Sequence, residues 1–161
     1  MYNSFNIQLD PYWDKVVSLL HFEGTSVYDT IVDEKGNNWT KYNGALLSSD
    51  NKKFGARSLQ LGESGFSCIY SNSSKYTIGL NDFCIEFFFK ANAIEDKQVL
   101  FSMPYYISGN YYTLSLEIIT GYLFLKTTNY SPIYTEIESN IWYHVALVRN
   151  NMGYLHLYLN G

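Results

Sequence analysis

Phe83-Cys84-Ile85-Glu86-Phe87-Phe88-Phe89-Lys90 decides the fold class. In an extended chain, Phe83, Ile85, Phe87 and Phe89 share one face, and Cys84, Glu86, Phe88 and Lys90 share the other. Working outward, Gln98 to Met103 (QVLFSM) follows a charged loop. Tyr111 to Ile119 and Tyr122 to Thr127 flank Thr120-Gly121, a two-residue hairpin signal. Trp142 to Arg149 and Tyr154 to Leu159 flank Asn150 to Gly153, a second hairpin. Upstream, Val16 to Phe22 (VVSLLHF) reads as a mostly apolar, central first strand. Ile31 to Thr40 carries a polar turn at Asp33 to Asn38. Arg57 to Leu61 turns Leu59 and Leu61 inward, and Phe66 to Tyr70 is a further short strand. Ala91 to Lys97 reads as a loop, and Ser71 to Asp82 is too polar and Gly-interrupted for a strand. Ten or more strands with turns at this spacing predict an all-β sandwich or barrel. No repeat of fixed period argues for a propeller or solenoid.

Composition agrees. The 161 residues suffice for one domain with a core of its own. Aromatics make up 18% of the chain, with 16 Tyr and 10 Phe, which favours strands. A net charge of -4 argues against non-specific nucleic-acid binding and against anionic membrane surfaces. There is no run of 18 apolar residues. Met1 to Asp10 lacks the basic and apolar regions of a signal peptide, so the expected place of synthesis is the cytoplasm. Cys68 and Cys84 are too few for a disulfide framework and read as two thiols, with a single bridge between them the alternative. Asn160-Gly161 is a hairpin turn signal with no strand after it, so a domain truncated at its C-terminal end is expected.

Five segments in order carry a family resemblance: Val17 to Gly24 (VSLLHFEG), Lys53 to Leu61 (KFGARSLQL), Asp82 to Lys90 (DFCIEFFFK), Leu100-Phe101-Ser102, and Trp142 to Arg149 (WYHVALVR) followed by Leu157 to Gly161 (LYLNG). Together they resemble laminin-G-like domains of the concanavalin A-like lectin/glucanase superfamily. Pro11 to Phe22 is similar to the versions carried by phage and prophage structural, tail-associated proteins. The resemblance implies an antiparallel two-sheet jelly roll over residues 16–161, after a lead-in of residues 1–15. It also implies further strands after the final Asn-Gly, one of them beside the first strand, and hence an unpaired apolar flank on Val16 to Phe22 and a tendency to associate. A virion destination is implied in the same way.

Catalytic constellations are missing from the sequence. There is no Gly-x-Ser-x-Gly elbow and no phosphate-binding glycine loop. The Glu-x-Asp-x-x-Glu spacing of jelly-roll glucanases does not occur. Glu136-x-Glu138 puts two carboxylates on one strand face without a third partner, and Glu86 is expected to pair with a nearby Lys, Arg or backbone amide. His144 is expected to bond to a neighbouring loop, since no second histidine has metal-ligand spacing. Laminin-G-like domains often hold calcium at the rim, and Asp82 and Asp33, with Asn81 and Asp29, are the weak candidates here. They read as ordinary turn-forming residues, so no cofactor is expected.

Met103 to Tyr112 (MPYYISGNYY) reads as an aromatic loop and is the binding candidate. Flat rings suit the C–H faces of sugars and amides suit their hydroxyls, so Tyr105, Tyr106, Asn110 and Tyr111 are assigned to a glycan. Capping of the core by these tyrosines is the alternative. The functional expectation is a non-catalytic module binding carbohydrate or a cell-surface component within a larger protein. The competing readings are a purely structural assembly domain and, weakest, a polysaccharide-cleaving enzyme.

Overall fold

The computed structural model describes residues 10–24, 30–62, 66–72, 74–76, 78–79, 81–128 and 130–161, and the side chains of all of these except 105–107, 111 and 130. The chain forms two compact units, residues 1–76 and 77–161. Both are built from antiparallel strands with almost no helix.

In the first unit, β1 (Ile31–Val32), β2 (Asn38–Tyr42) and β5 (Cys68–Tyr70) form one sheet in the order β1-β2-β5. A second sheet pairs β3 (Leu46–Ser48) with β4 (Ser58–Gln60). Single-turn 3-10 helices cover Trp13–Lys15 and Ser74–Tyr76. Ile31, Ala45 and Leu47 are its buried apolar residues among those described.

The second unit holds β6 (Phe83–Lys90), β7 (Gln98–Ile107), β8 (Asn110–Ile119), β9 (Tyr122–Thr127), β10 (Tyr130–Glu136), β11 (Trp142–Arg149) and β12 (Leu155–Leu159). They make two sheets, in the orders β10-β9-β8-β7 and β12-β11-β6. Leu114, Leu116 and Ile118 of β8 and Leu123 and Leu125 of β9 meet Phe89 of β6 and Tyr143, Val145 and Leu147 of β11 in one core. The two sheets thus pack face to face in a sandwich-like arrangement. Phe89 and Tyr143 are cross-strand partners whose rings stack at 5.5 Å. Leu116, Ile118, Leu123, Val145 and Leu147 are fully enclosed, and each such side chain contributes about 1.5–3 kcal/mol of burial.

Turn chemistry fixes the register of the four-stranded sheet. Ser108-Gly109 and Thr120-Gly121 are two-residue turns with positive φ at both positions (49° and 86°, 49° and 82°). That is the type I′ geometry, whose twist matches the flanking strands and whose second position suits glycine. Pro104 lies within β7 because β7 is an edge strand and the missing N–H costs least there.

The alternation read in Phe83 to Lys90 is observed, with the Phe83, Ile85, Phe87, Phe89 face turned to the core. Both hairpins expected from sequence are present. Four readings are corrected. Val16 to Phe22 forms no strand and joins no ladder among the described residues. Its Leu19 carbonyl accepts from Glu34 N at 3.0 Å and its Val17 carbonyl from the Asn37 side chain at 3.1 Å, and φ of +61° at Phe22 ends the run. Leu61 is exposed, because β4 stops at Gln60. Met103 to Tyr112 is the end of the β7–β8 hairpin rather than a loop. β10 extends upstream of the strand face expected for Glu136-x-Glu138 and stops at Glu136, so Glu138 lies beyond the strand. Pro132 masks its strand pattern, and a register shift between Tyr130 and Ile133 absorbs the irregularity. Cys68 and Cys84 are both free thiols.

Candidate functional site

Leu123 and Leu125 turn inward, so alternation sends Tyr122, Phe124 and Lys126 to the outer face of the four-stranded sheet. Register then sets their neighbours. Phe124 lies between Glu117 of β8 and Tyr134 of β10, and Tyr122 lies between Ile119 and Glu136. Three rings therefore meet across two strands. Phe124 and Tyr134 have centroids 5.2 Å apart, Tyr122 and Phe124 6.3 Å, and Tyr122 meets Tyr134 edge-on at 5.7 Å and 84°. Tyr134 is 60% exposed. Such angled contacts are the favoured aromatic geometries, and Tyr122 and Phe124 are half-buried within them.

The two ends of this cluster differ in charge. At one end the Tyr122 hydroxyl donates to Glu136 Oε1 at 3.1 Å. This hydrogen bond, together with the negative charge of Glu136, holds the Tyr122 phenol above its ordinary pKa. Beside it lies an open cleft of about 310 Å³ lined by Gly121, Tyr122, Glu136, Ile137, Glu138 and Tyr143. The Tyr143 oxygen accepts from Glu138 N at 2.9 Å. Glu136 and Glu138 both border the cleft, and neither has an ion-pair partner among the described residues.

At the other end Glu117 is buried under two ammonium groups. Lys126 Nζ lies 2.9 Å and Lys97 Nζ 3.1 Å from its Oε2, and the Ser115 hydroxyl donates to Oε1 at 3.0 Å. Burial alone would raise the Glu117 pKa. The hydrogen bonds from Lys126, Lys97 and Ser115 outweigh it and hold the carboxyl below its usual value. Lys126 also lies over the Phe124 ring, 5.5 Å from its centroid.

The residues assigned from sequence lie elsewhere on the same sheet. Tyr105 and Tyr106 pair in register with Tyr112 and Tyr111 at the β7–β8 tip. The side chains of Tyr105, Tyr106 and Tyr111 lie outside the described residues. Asn110 is exposed, and its amide donates to Ser108 O at 3.4 Å. This tip and the Tyr122–Glu136 cleft are at opposite ends of β8, about 30 Å apart at 3.4 Å per residue.

Asp33 is a structural hub. Its carboxylate accepts from the Ser18 hydroxyl (2.5 Å), Lys35 N, Asn37 N, the Asn37 amide, Trp39 Nε1 and, at 3.4 Å, the Tyr76 hydroxyl. Burial raises its pKa, yet the bonds from Ser18, Asn37 and Trp39 prevail and hold it far below the carboxylate range. Lys75 Nζ bonds Asn37 Oδ1 next to it at 3.0 Å. Donors fill these oxygens and an ammonium stands close by, an environment unlike the all-oxygen shell calcium requires. Asp82 is exposed in the turn before β6, and Asp29 lies outside the described residues. No group of three or more His, Cys, Asp or Glu with metal-binding geometry occurs among the described residues.

His144 bonds to its neighbours differently from the expectation. Its backbone, not its ring, joins the turn, through His144 N to Asn160 Oδ1 and Asn160 N to His144 O. The ring packs on Phe88 at 4.7 Å, and Nε2 lies 3.6 Å from Glu86 Oε2. Glu86 is thus partnered by a histidine rather than by Lys, Arg or an amide.

Sequence reasoning missed the Tyr122, Phe124, Tyr134, Glu136 cluster. The outward positions of Tyr122 and Phe124 follow from YLFLK alone and Glu136 was read on a strand face, whereas Tyr134, and the pairing that brings Glu136 to Tyr122, enter only through the register of β10 on β9. Comparison of the chain with family models, with curated proteins and with solved structures finds no match.

Proposed function

We propose that this chain is a non-catalytic, lectin-like module that binds carbohydrate on the outer face of the β10-β9-β8-β7 sheet. The observation that carries the reading is the cluster of exposed Tyr134 with half-buried Tyr122 and Phe124, beside a carboxylate-lined cleft. Aromatic faces cover the apolar C–H face of a pyranose, and Glu136, Glu138 and the Tyr122 and Tyr143 hydroxyls supply polar contacts for its hydroxyl groups. The proposal includes a jelly-roll arrangement of the laminin-G-like kind, suggested by the sequence resemblance and compatible with the two packed antiparallel sheets. It places the module in a phage tail or another surface structural protein. Binding without turnover is the expected activity, since no motif for nucleophilic or paired-carboxylate catalysis was found in the sequence.

A structural or assembly role is the second reading. It is favoured by β10, whose Ile133 points to the core side yet stays 55% exposed, so that this edge offers apolar surface to a neighbour. A glycan array on folded protein separates the two. Saturable binding to one glycan class, weakened by Tyr134→Ala, supports the module. A blank array together with concentration-dependent assembly supports the second reading.

A further inference from the structure

The two sheets of the second unit end in β7, β10, β12 and β6, each paired on one side only among the described residues. Three of these edges carry a feature that discourages strand pairing. β7 holds Pro104 and a register shift between Val99 and Phe101, β10 holds Pro132 and a shift between Tyr130 and Ile133, and β12 is only five residues long. β6 has none of these. Its eight residues contain no proline, and they pair with β11 in one unbroken register, from Phe83 opposite Arg149 to Lys90 opposite Trp142. The core is also open on this flank. Ile85 and Phe87 face inward yet remain half-buried, although their cross-strand partners Leu147 and Val145 are fully enclosed. On the outer face Phe88 is 41% exposed. A long, regular, apolar edge of this kind is a template for another strand.

We propose that β6 pairs with β6 of a second copy of this chain, antiparallel, about a two-fold axis at Phe88. Charge selects both the partner and the register. A strand that pairs with its own copy in this way sets residues equally spaced from the axis opposite one another. With the axis at Phe88, Glu86 faces Lys90 of the second copy and Lys90 faces its Glu86, so the two charges of the strand are matched twice. Phe88 faces Phe88 on the outer side and Phe87 faces Phe89 on the inner side, which places aromatic pairs on both faces of the junction. An axis at Glu86 opposes two carboxylates, and an axis at Phe87 leaves Glu86 opposite Phe88, so both registers are poorer. Glu86 keeps His144 on its β11 side, 3.6 Å away. The ion pairs are solvent-exposed and fix the register, while the backbone ladder and the covered apolar surface supply affinity.

A two-fold that joins antiparallel strands runs perpendicular to their sheet, so each side-chain face stays on its own side. Both β10-β9-β8-β7 sheets therefore lie on the same side of the joined sheet, and both Tyr122, Phe124, Tyr134 clusters point the same way. The pairing does not depend on the carbohydrate reading. Taken with that reading, it makes the dimer a bivalent binder of a surface with repeated ligands.

The test is sedimentation velocity of the full chain between about 1 and about 500 μM, on the parent protein, Glu86→Lys, Lys90→Glu and an equimolar mixture of the two variants. The expected result is a reversible dimer of the parent within this range. Each variant alone sets like charges opposite one another at both pairs and weakens the dimer at least about tenfold. The mixture restores dimerisation, because in a mixed dimer each position 86 again faces the opposite charge at position 90. Rescue on mixing cannot arise from a folding defect, and unchanged circular dichroism of each variant checks the fold independently. A parent that stays monomeric throughout overturns the proposal. So does a dimer that neither variant weakens, which moves the contact to another surface such as the exposed Ile133. Weakened variants that mixing does not restore overturn the antiparallel Phe88 register and the proposal with it. None of these outcomes bears on the carbohydrate reading, which the glycan array and Tyr134→Ala test separately.

Discussion

The carboxylate of Glu23 occupies the space in which a side chain on Gly55 would have to begin. Ala56 N donates to both oxygens of that carboxylate, at 3.1 and 2.8 Å, and Gly55 has φ of +62°. Phe22-Glu23-Gly24 and Phe54-Gly55-Ala56 are therefore one joint made from two distant segments. Gly55→Ala is expected to destabilise the fold by about 1–2 kcal/mol from backbone strain alone, with displacement of Glu23 added to it. Urea denaturation checks this, and an unchanged midpoint would contradict it.

Asp33 should govern acid stability of the first unit. Its folded pKa lies below the ordinary value of about 3.9, so its contribution is complete above that value and is lost as pH falls below it toward the folded pKa. Asp33→Ala strands the Asn37, Trp39 and Lys35 donors and is expected to cost about 2–4 kcal/mol at neutral pH. Trp39 fluorescence followed in urea at pH 7 and pH 3 reads both effects. Added calcium should not move the midpoint, and a clear rise would contradict the hub assignment.

Glu117 is the counterpart in the second unit. Its pKa is also lowered, so its stabilisation is present above about pH 4.3 and fades as pH drops through the folded value. Glu117→Gln leaves Lys97 and Lys126 without a countercharge and is expected to cost about 1–3 kcal/mol at pH 7. The same variant should lose less stability than the parent protein between pH 5 and about pH 3. Thermal melts at both pH values check the sign, and equal acid sensitivity in the two proteins would contradict it.

How much was legible in the sequence follows from what each residue's neighbours are. The faces of Phe83 to Lys90 were legible because alternation is a local property, and the Thr120-Gly121 turn because two residues suffice to specify it. Val16 to Phe22 has the composition of a central strand, but composition does not state whether a partner strand lies alongside. Tyr105 and Tyr106 stood out as a tyrosine run, whereas Tyr134 was hidden behind Pro132 and Glu136 was read without its aromatic neighbours. The ring cluster exists only through the register of β9 on β10, a long-range relationship that no local pattern encodes.

Tyr134 tests the outer-face reading most directly, since it is the most exposed ring of the cluster and is not part of the core. The measurement is titration of the glycan selected on an array against the parent protein, Tyr134→Ala, and a Tyr105→Ala, Tyr106→Ala double variant. Loss of at least about tenfold in affinity for Tyr134→Ala, with the double variant near the parent value, is the expected result. Full affinity in Tyr134→Ala, with loss in the double variant, would contradict it and return the site to the β7–β8 tip.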